Sequence, residues 1–302
     1  MNLELHSEWV SAHLFYNVPW ERMLVDGLRP FVDQSIAKEQ ASAYFFVRYW
    51  EHGPHIRLRM KTDHPGALRE DINRYFSEYF SLNPSLPPSN PNESDYPNNS
   101  IQFIPYEPEM QRYGGDKAIY ISEQLFFASS KVVLKLLDEK NWDLAVAAGA
   151  ALHLHLALVY AFGYTRAEAI DFFSAYIIPN GLDPTPENLK TLFDSYQYRL
   201  GTVNQGIPAY CRHVWDSLQK PNSIADERLK LWIESLYQIR SELDSVIKRE
   251  SFYLPNGIQN VYRSRPEYSY LLSSHVHMTN NRLGIATVEE PFLNYLLMTA
   301  LN

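Results

Sequence analysis

Three stretches of this chain bring together residue types that can do chemistry. The first, Ala43 to Lys61, reads AYFFVRYWEHGPHIRLRMK. Its second half alternates: Ile56, Leu58 and Met60 fall on one side, and His55, Arg57, Arg59 and Lys61 on the other. With Arg48 they gather guanidinium groups that offer a planar fork to a carboxylate. Lys and Arg on an exposed edge strand, where they block aggregation, would give the same pattern. The second stretch is Tyr106 to Gly115, YEPEMQRYGG. Glu109 and Arg112 are three apart and touch if the segment makes a helical turn. They are either a surface ion pair or an arginine held ready for an anion, and the Gly-Gly pair after Tyr113 permits close backbone approach. The third, Ser274 to Leu283, reads SHVHMTNNRL. His275 and His277 face one way on a strand and apart on a helix. One of them can move a proton near neutral pH, and either can equally be a hydrogen-bonded interior residue. With no Cys or carboxylate beside them, a metal site is not expected.

The elements that must position these stretches come from hydrophobic period. Period-2 patterning and turn residues predict strands at Trp9–Tyr16, Tyr44–Trp50, His55–Lys61 and Ser100–Tyr106, the middle two forming a hairpin across Gly53-Pro54. Pro19-Trp20 opens a helix with Trp20, Met23, Leu24 and Leu28 on one side. Asp63-His64-Pro65 caps another, with Leu68, Ile72, Tyr75, Phe76 and Tyr79 inward. From Gly115 onward the pattern is helical: Asp116–Asp138, Trp142–Phe162, Thr165–Tyr176 behind a Thr165/Glu168 capping box, one opened by Thr185-Pro186-Glu187, Arg228–Lys248, Tyr268–Arg282 and Pro291–Ala300, with a break near Gly284. The expected class is α+β, with a small antiparallel sheet in the N-terminal third. We expect a single domain over 1–302, strand-rich over 1–115 with a Pro/Asn/Ser loop at 83–99, and helical over 116–302.

Composition narrows the function. The chain has 302 residues, 45% hydrophobic and 21% charged, as in an ordinary globular protein. A net charge of −8 disfavours nonspecific binding to nucleic acid or anionic membrane. A single cysteine, Cys211, excludes an internal disulfide, fits a reducing compartment and reads as structural. No signal peptide is evident in MNLELHSEWV. The apolar run Leu144–Phe162, interrupted by His153 and His155, reads as a buried helix and not a membrane span. There is no GxSxG, P-loop or GxGxxG motif.

Taken in order, FFVRYWEHGPHIRLRMK, YEPEMQRYGG and HMTNNRL resemble the C-terminal elimination domain of class I lanthipeptide dehydratases, a family with standalone members in thiopeptide pathways. The likeness runs from about Trp9 to the C-terminus. It implies removal of glutamate from glutamylated Ser or Thr of a ribosomally made precursor peptide, giving dehydroalanine or dehydrobutyrine. By motif position it picks out Arg57, Arg59, Glu109, Arg112 and His277 for catalysis. Arg48, His55, Tyr113, Asn281 and Arg282 are assigned to substrate binding. Arg57, Arg59, Arg112 and His277 are then expected to converge on one cleft. The resemblance further implies a separate glutamylation subunit, no metal or organic cofactor, no direct nucleic-acid binding and a cytoplasmic setting, and it allows a homodimer. Two other readings stay open. One is a pyridine synthase that joins two dehydroalanines by [4+2] cycloaddition; the other is a noncatalytic subunit that captures peptide by strand addition.

Overall fold

A computed structural model describes residues 8–88, 94–137, 141–179, 181–202, 206–220, 224, 226–249 and 251–302. The reading of the first seven residues, the middle of the 83–99 loop and the expected helix end at Asp138 lie outside the described residues. The protein is α+β. Its chain divides into two compact units, Met1–Pro108 with Ser129–Trp142, and Glu109–Ala128 with Asp143–Asn302.

The first unit is built on a four-stranded antiparallel sheet: β1 (Glu8–Phe15), β2 (Ala43–Tyr49), β3 (His55–Thr62) and β4 (Ser100–Phe103), in the order β2-β3-β1-β4. Pairing of Leu14 with Ile56, Ala12 with Leu58 and Val10 with Met60 stacks an aliphatic face that is fully buried. The alternate face carries Ser11 and His13 opposite Arg59 and Arg57. Helix α2 (Pro65–Leu82) packs on β1 and β4 with Leu68, Ile72, Phe76 and Phe80 buried. Tyr75, expected inward, is half-buried. The cap falls within Asp63-His64-Pro65, at His64, which makes no side-chain bond there because Pro65 already fills the first turn and has no amide to satisfy. The predicted first helix forms as a π-helical stretch, Met23–Leu28, running into α1 (Arg29–Ala37), and Trp20, Met23, Leu24 and Leu28 are all buried. The strand expected to reach Tyr106 stops at Phe103; Pro105 follows and cannot donate to a ladder.

The second unit is helical. It takes the start of α3 (Ile119–Leu136), then α4 (Leu144–Ala161), α5 (Arg166–Ser174), α6 (Pro186–Thr202), α7 (Ile207–Leu218), α8 (Glu227–Lys248), the short α9 (Ile258–Val261), α10 (Pro266–Leu283) and α11 (Glu290–Leu301). The Thr165/Glu168 capping box forms as predicted. Helix α4 is long and apolar enough to cross a membrane, yet it packs on α7, α8, α10 and α11 and more than half of it is buried, as a core helix is. Helix α7 is absent from the sequence expectations. Its signal was present, since Cys211, Val214, Trp215 and Leu218 recur at helical spacing and are buried, behind Pro208 in the first turn. Cys211 is interior, and burial pushes its thiol up to about 11, so it is not a poised nucleophile.

Both units bury polar groups at a cost. In the first, Arg48 lies on the aliphatic side of β2, opposite Ile56, with Nη1 2.6 Å from Glu21 Oε1. Desolvation lowers the pKa of Arg48 even with Glu21 beside it, so the carboxylate does not fully offset burial of the guanidinium. Glu21→Ala is therefore expected to destabilise the protein by roughly 2 kcal/mol, less than a fully buried pair would lose because Glu21 keeps a third of its side chain in solvent. Arg48→Met should cost less than Glu21→Ala, and urea denaturation of the two variants gives the comparison.

Buried histidines impose a second cost. Desolvation pushes His13 down to about 3, and His55 and His155 down to about 4. The unfolded chain takes up these protons near pH 6.5, while the folded chain refuses them until pH is well lower, so stability is lost as pH falls from about 6.5 toward 4. His155 alone contributes on the order of 2–3 kcal/mol to that loss. Thermal melts from about pH 7.5 to pH 4.5 should show the slope. His155→Gln, which carries no titrating proton, should flatten it while lowering stability at neutral pH; a melting temperature unchanged across that range would contradict the argument.

Candidate active site

Helix α10 places the third motif. Its periodicity puts Ser274 and His277 on one side of the helix and His275 on another. Ser274 and His277 line a cleft of about 430 Å³ in the second unit, together with Arg112 and Glu290. The remaining wall is largely apolar, with Phe172, Tyr176 and Val288 among its residues. His277 Nδ1 lies 2.9 and 3.1 Å from the two carboxylate oxygens of Glu290. A nitrogen facing a carboxylate carries its proton there, which leaves Nε2 to exchange a proton. Glu290, at the start of α11, was not among the expected residues. Gly284, left-handed at φ 86°, ends α10 and lets the chain turn back so that α11 opens beside His277.

Arg112 sits in a single 3-10 turn, Met110–Tyr113, closed by Gly114 in the left-handed region. A Cβ on Gly114 would lie 2.2 Å from the Phe252 ring, and the Tyr253 amide donates to the Gly114 carbonyl at 2.7 Å. The Gly-Gly pair is thus a close-approach site that anchors the turn. The turn brings Arg112 Nη1 to 3.4 Å from Glu109, and Arg112 Nε to 3.5 Å from Ser274 Oγ. The Glu109 pair is largely exposed and worth at most about 1 kcal/mol.

In the first unit, β3 presents Arg57 and Arg59 on the polar sheet face. The Arg57 guanidinium lies 3.3 Å from the centre of the Tyr49 ring, and Arg59 lies 4.4 Å from that of Tyr106. His13 and His55 stack at 4.9 Å beside them. His13 was not anticipated either, although the alternation Trp9, Ser11, His13, Phe15 sets it opposite Arg57.

The structure gathers the expected residues unevenly. Arg112 and His277 share one cleft, and Arg57 and Arg59 share one sheet face, with His55 buried against Arg57 at 3.2 Å. Arg48, expected with them, stands on the opposite face and meets Glu21, because odd and even positions of a strand point to opposite sides. Tyr113 is buried, packed edge-on against Phe126 and near His275. Arg282 is wholly buried, with Nη1 on the Met278 carbonyl and its guanidinium over Phe126. Asn281 is half-buried beside it. Desolvation, with the charges of Arg282 and Arg112, drives His275 well below its usual pKa, which suits an interior neutral imidazole. His155 Nε2 donates to Asn280 Oδ1 at 2.8 Å and is buried in the helical core. Among the described residues no cluster of His, Cys, Asp and Glu is arranged to hold a metal ion.

Known proteins share this architecture. The TsrL crystal structure superimposes with a TM-score of 0.73 at 17% identity, covering 98% of this chain and 94% of that one. TbtD, a pyridine synthase from thiomuracin biosynthesis, gives 0.72 at 17% identity over 97% of both chains. MibB, a tRNA-dependent lantibiotic dehydratase from Microbispora sp. 107891, gives 0.65 at 19% identity, covering 97% of this chain and 28% of that one. In sequence, the nisin biosynthesis protein NisB of Lactococcus lactis subsp. lactis is 25% identical over 295 residues, which is 96% of this chain and 25% of NisB. The chain thus spans about a quarter of the length of NisB. The profile of the lantibiotic biosynthesis dehydratase C-terminal family matches residues 9–301, and the chain belongs to that family.

Proposed function

We propose that this chain, as one elimination-type domain, removes glutamate from glutamylated Ser or Thr of a ribosomally made precursor peptide. Family membership supports a role in modifying such peptides. The observation that carries the finer reading is the His277–Glu290 pair beside Arg112 in one cleft. An elimination needs a base for the Cα proton, donors for the enolate oxygen and a cation for the departing carboxylate. The Cα–H electrons become the Cα–Cβ double bond, the Cβ–O bond breaks, and glutamate leaves as a carboxylate. His277, oriented and electrostatically supported by Glu290, exchanges the proton at Nε2. Arg112 offers its guanidinium to the developing negative charge, and Glu109 orients it from the solvent side. Arg57 and Arg59 supply cationic forks for carboxylate. A departing carboxylate would use the positive charge that both carry. The glutamyl ester is made by a separate glutamylation subunit in the cytoplasm.

The alternative is pyridine synthesis, favoured by the superposition on TbtD across the full extent of both chains. Incubation with a glutamylated peptide, read by mass, separates the two. Elimination predicts free glutamate and loss of one glutamate mass per turnover without tRNA or ATP. An intact glutamyl ester, together with pyridine formed from a peptide already carrying dehydroalanines, would overturn it.

Variants sharpen the assignment. Arg57→Ala and Arg112→Ala should each lose ~100- to 1,000-fold in rate. Arg59→Lys should lose activity if the fork binds in bidentate fashion, since Lys presents a point charge. His277→Ala should lose ~100- to 10,000-fold with peptide affinity nearly unchanged. Glu290→Gln should fall short of that loss, because the amide oxygen can still accept from His277 Nδ1 and orient the ring. Glu109→Gln should have the smallest effect of the set.

A further inference from the structure

We propose that His55 is a positioning residue that holds Arg57, together with Tyr49, as an oriented and un-neutralised fork for a carboxylate. The turn before β3 sets this up. Gly53 has φ 107°, and a Cβ there would lie 2.2 Å from Ser94 Oγ, so glycine is required at this position. In that conformation its carbonyl meets His55 Nδ1 at 2.8 Å. A carbonyl only accepts, so Nδ1 carries the proton. Arg57 Nε lies 3.2 Å from His55 Nε2. A guanidinium only donates, so Nε2 is the bare, accepting nitrogen. The two partners together fix one neutral tautomer.

The imidazole cannot swing away. Phe15 stacks on it at 4.5 Å and His13 at 4.9 Å, and only 1% of the residue is exposed. Burial also pushes its pKa down to about 4, so it remains an acceptor at neutral pH. Arg57 is held a second time by the Tyr49 ring, 3.3 Å from its guanidinium carbon, and the Tyr49 hydroxyl is tied to Glu51 at 3.0 Å. Arg57 has no carboxylate in ion-pair reach among the described residues. With Nε spent on His55, the two Nη groups make up the remaining donor edge, whose geometry matches two carboxylate oxygens. An imidazole and a phenol ring orient the cation without cancelling its charge, as a carboxylate in their place would.

This inference rests on the proposed elimination only for its catalytic readout. His55→Phe keeps the stacking and removes the acceptor, and should lower kcat/KM by ~10- to ~100-fold. His55→Gln, with an acceptor near the position of Nε2, should recover part of that loss. The deciding measurement is the double variant. His55→Phe in an Arg57→Ala background should add nothing further, whereas a purely structural role would multiply the two losses and overturn the assignment. Tyr49→Leu should behave the same way against Arg57→Ala and serves if His55→Phe fails to fold. If Arg57→Ala leaves glutamate release intact, the functional reading fails and not this one. The positioning is then read directly by ¹⁵N NMR of His55 in the full chain at neutral pH. A proton on Nδ1 and a bare Nε2 is the expected pattern; a proton on Nε2 would break the bond from Arg57 and refute the proposal.

Discussion

Antiparallel pairing decides which side chains share a face, and the register of β1 on β3 is the constraint with the widest reach in the first unit. Leu14 opposite Ile56 and Ala12 opposite Leu58 stack the aliphatic side. The same register sets His13 opposite Arg57 and Ser11 opposite Arg59. A slip of one residue would turn the arginines into the aliphatic layer and Leu58 out of it. The burial of Val10, Ala12, Leu14, Ile56, Leu58 and Met60 therefore does more than stabilise the sheet. It holds the polar face in one arrangement and makes that arrangement expensive to change.

How each arginine is held follows from where it lies. Arg48, on the aliphatic side, meets the carboxylate of Glu21 and is lost to any ligand. Arg57 and Arg59 rest on the faces of Tyr49 and Tyr106. A ring face attracts a cation weakly and leaves its charge intact. Arg112 meets Ser274 and an exposed carboxylate, Glu109, whose attraction is screened by water. Arg57 is thus oriented by rings, whereas Arg48 is held by a carboxylate. The cost is borne by the neighbouring imidazoles, which desolvation and adjacent cations keep neutral.

The second unit solves a different problem, that of placing a titrating group beside its carboxylate across a chain reversal. Helix α10 must end for α11 to return, and Gly284 ends it in a conformation that L side chains rarely adopt. Glu290 then stands at the opening of α11, thirteen positions from His277 in sequence and in contact with it. The Gly114 turn plays the corresponding part for Arg112, wedged by Phe252 from a distant stretch of chain.

Local periodicity alone determined a good deal. The four strands, the hairpin across Gly53, the capping box at Thr165, the central helix α4 and the break at Gly284 all follow from spacing and turn chemistry, because these are set by neighbours a few residues away. The ordered motifs also disclosed the family, and with it Arg57, Arg59, Arg112 and His277 as residues to watch. The apolar stripe of α7, Cys211, Val214, Trp215 and Leu218, was equally legible in the spacing. Periodicity could not separate Arg48 from Arg57, because which strand face meets the helices is a matter of packing and not of pattern. Nor could it pair His277 with Glu290 or set His13 against Arg57, since those contacts join elements distant in sequence. Proton positions on His55 and His277 depend on such partners, so the chemistry each imidazole can do was decided only by the tertiary structure.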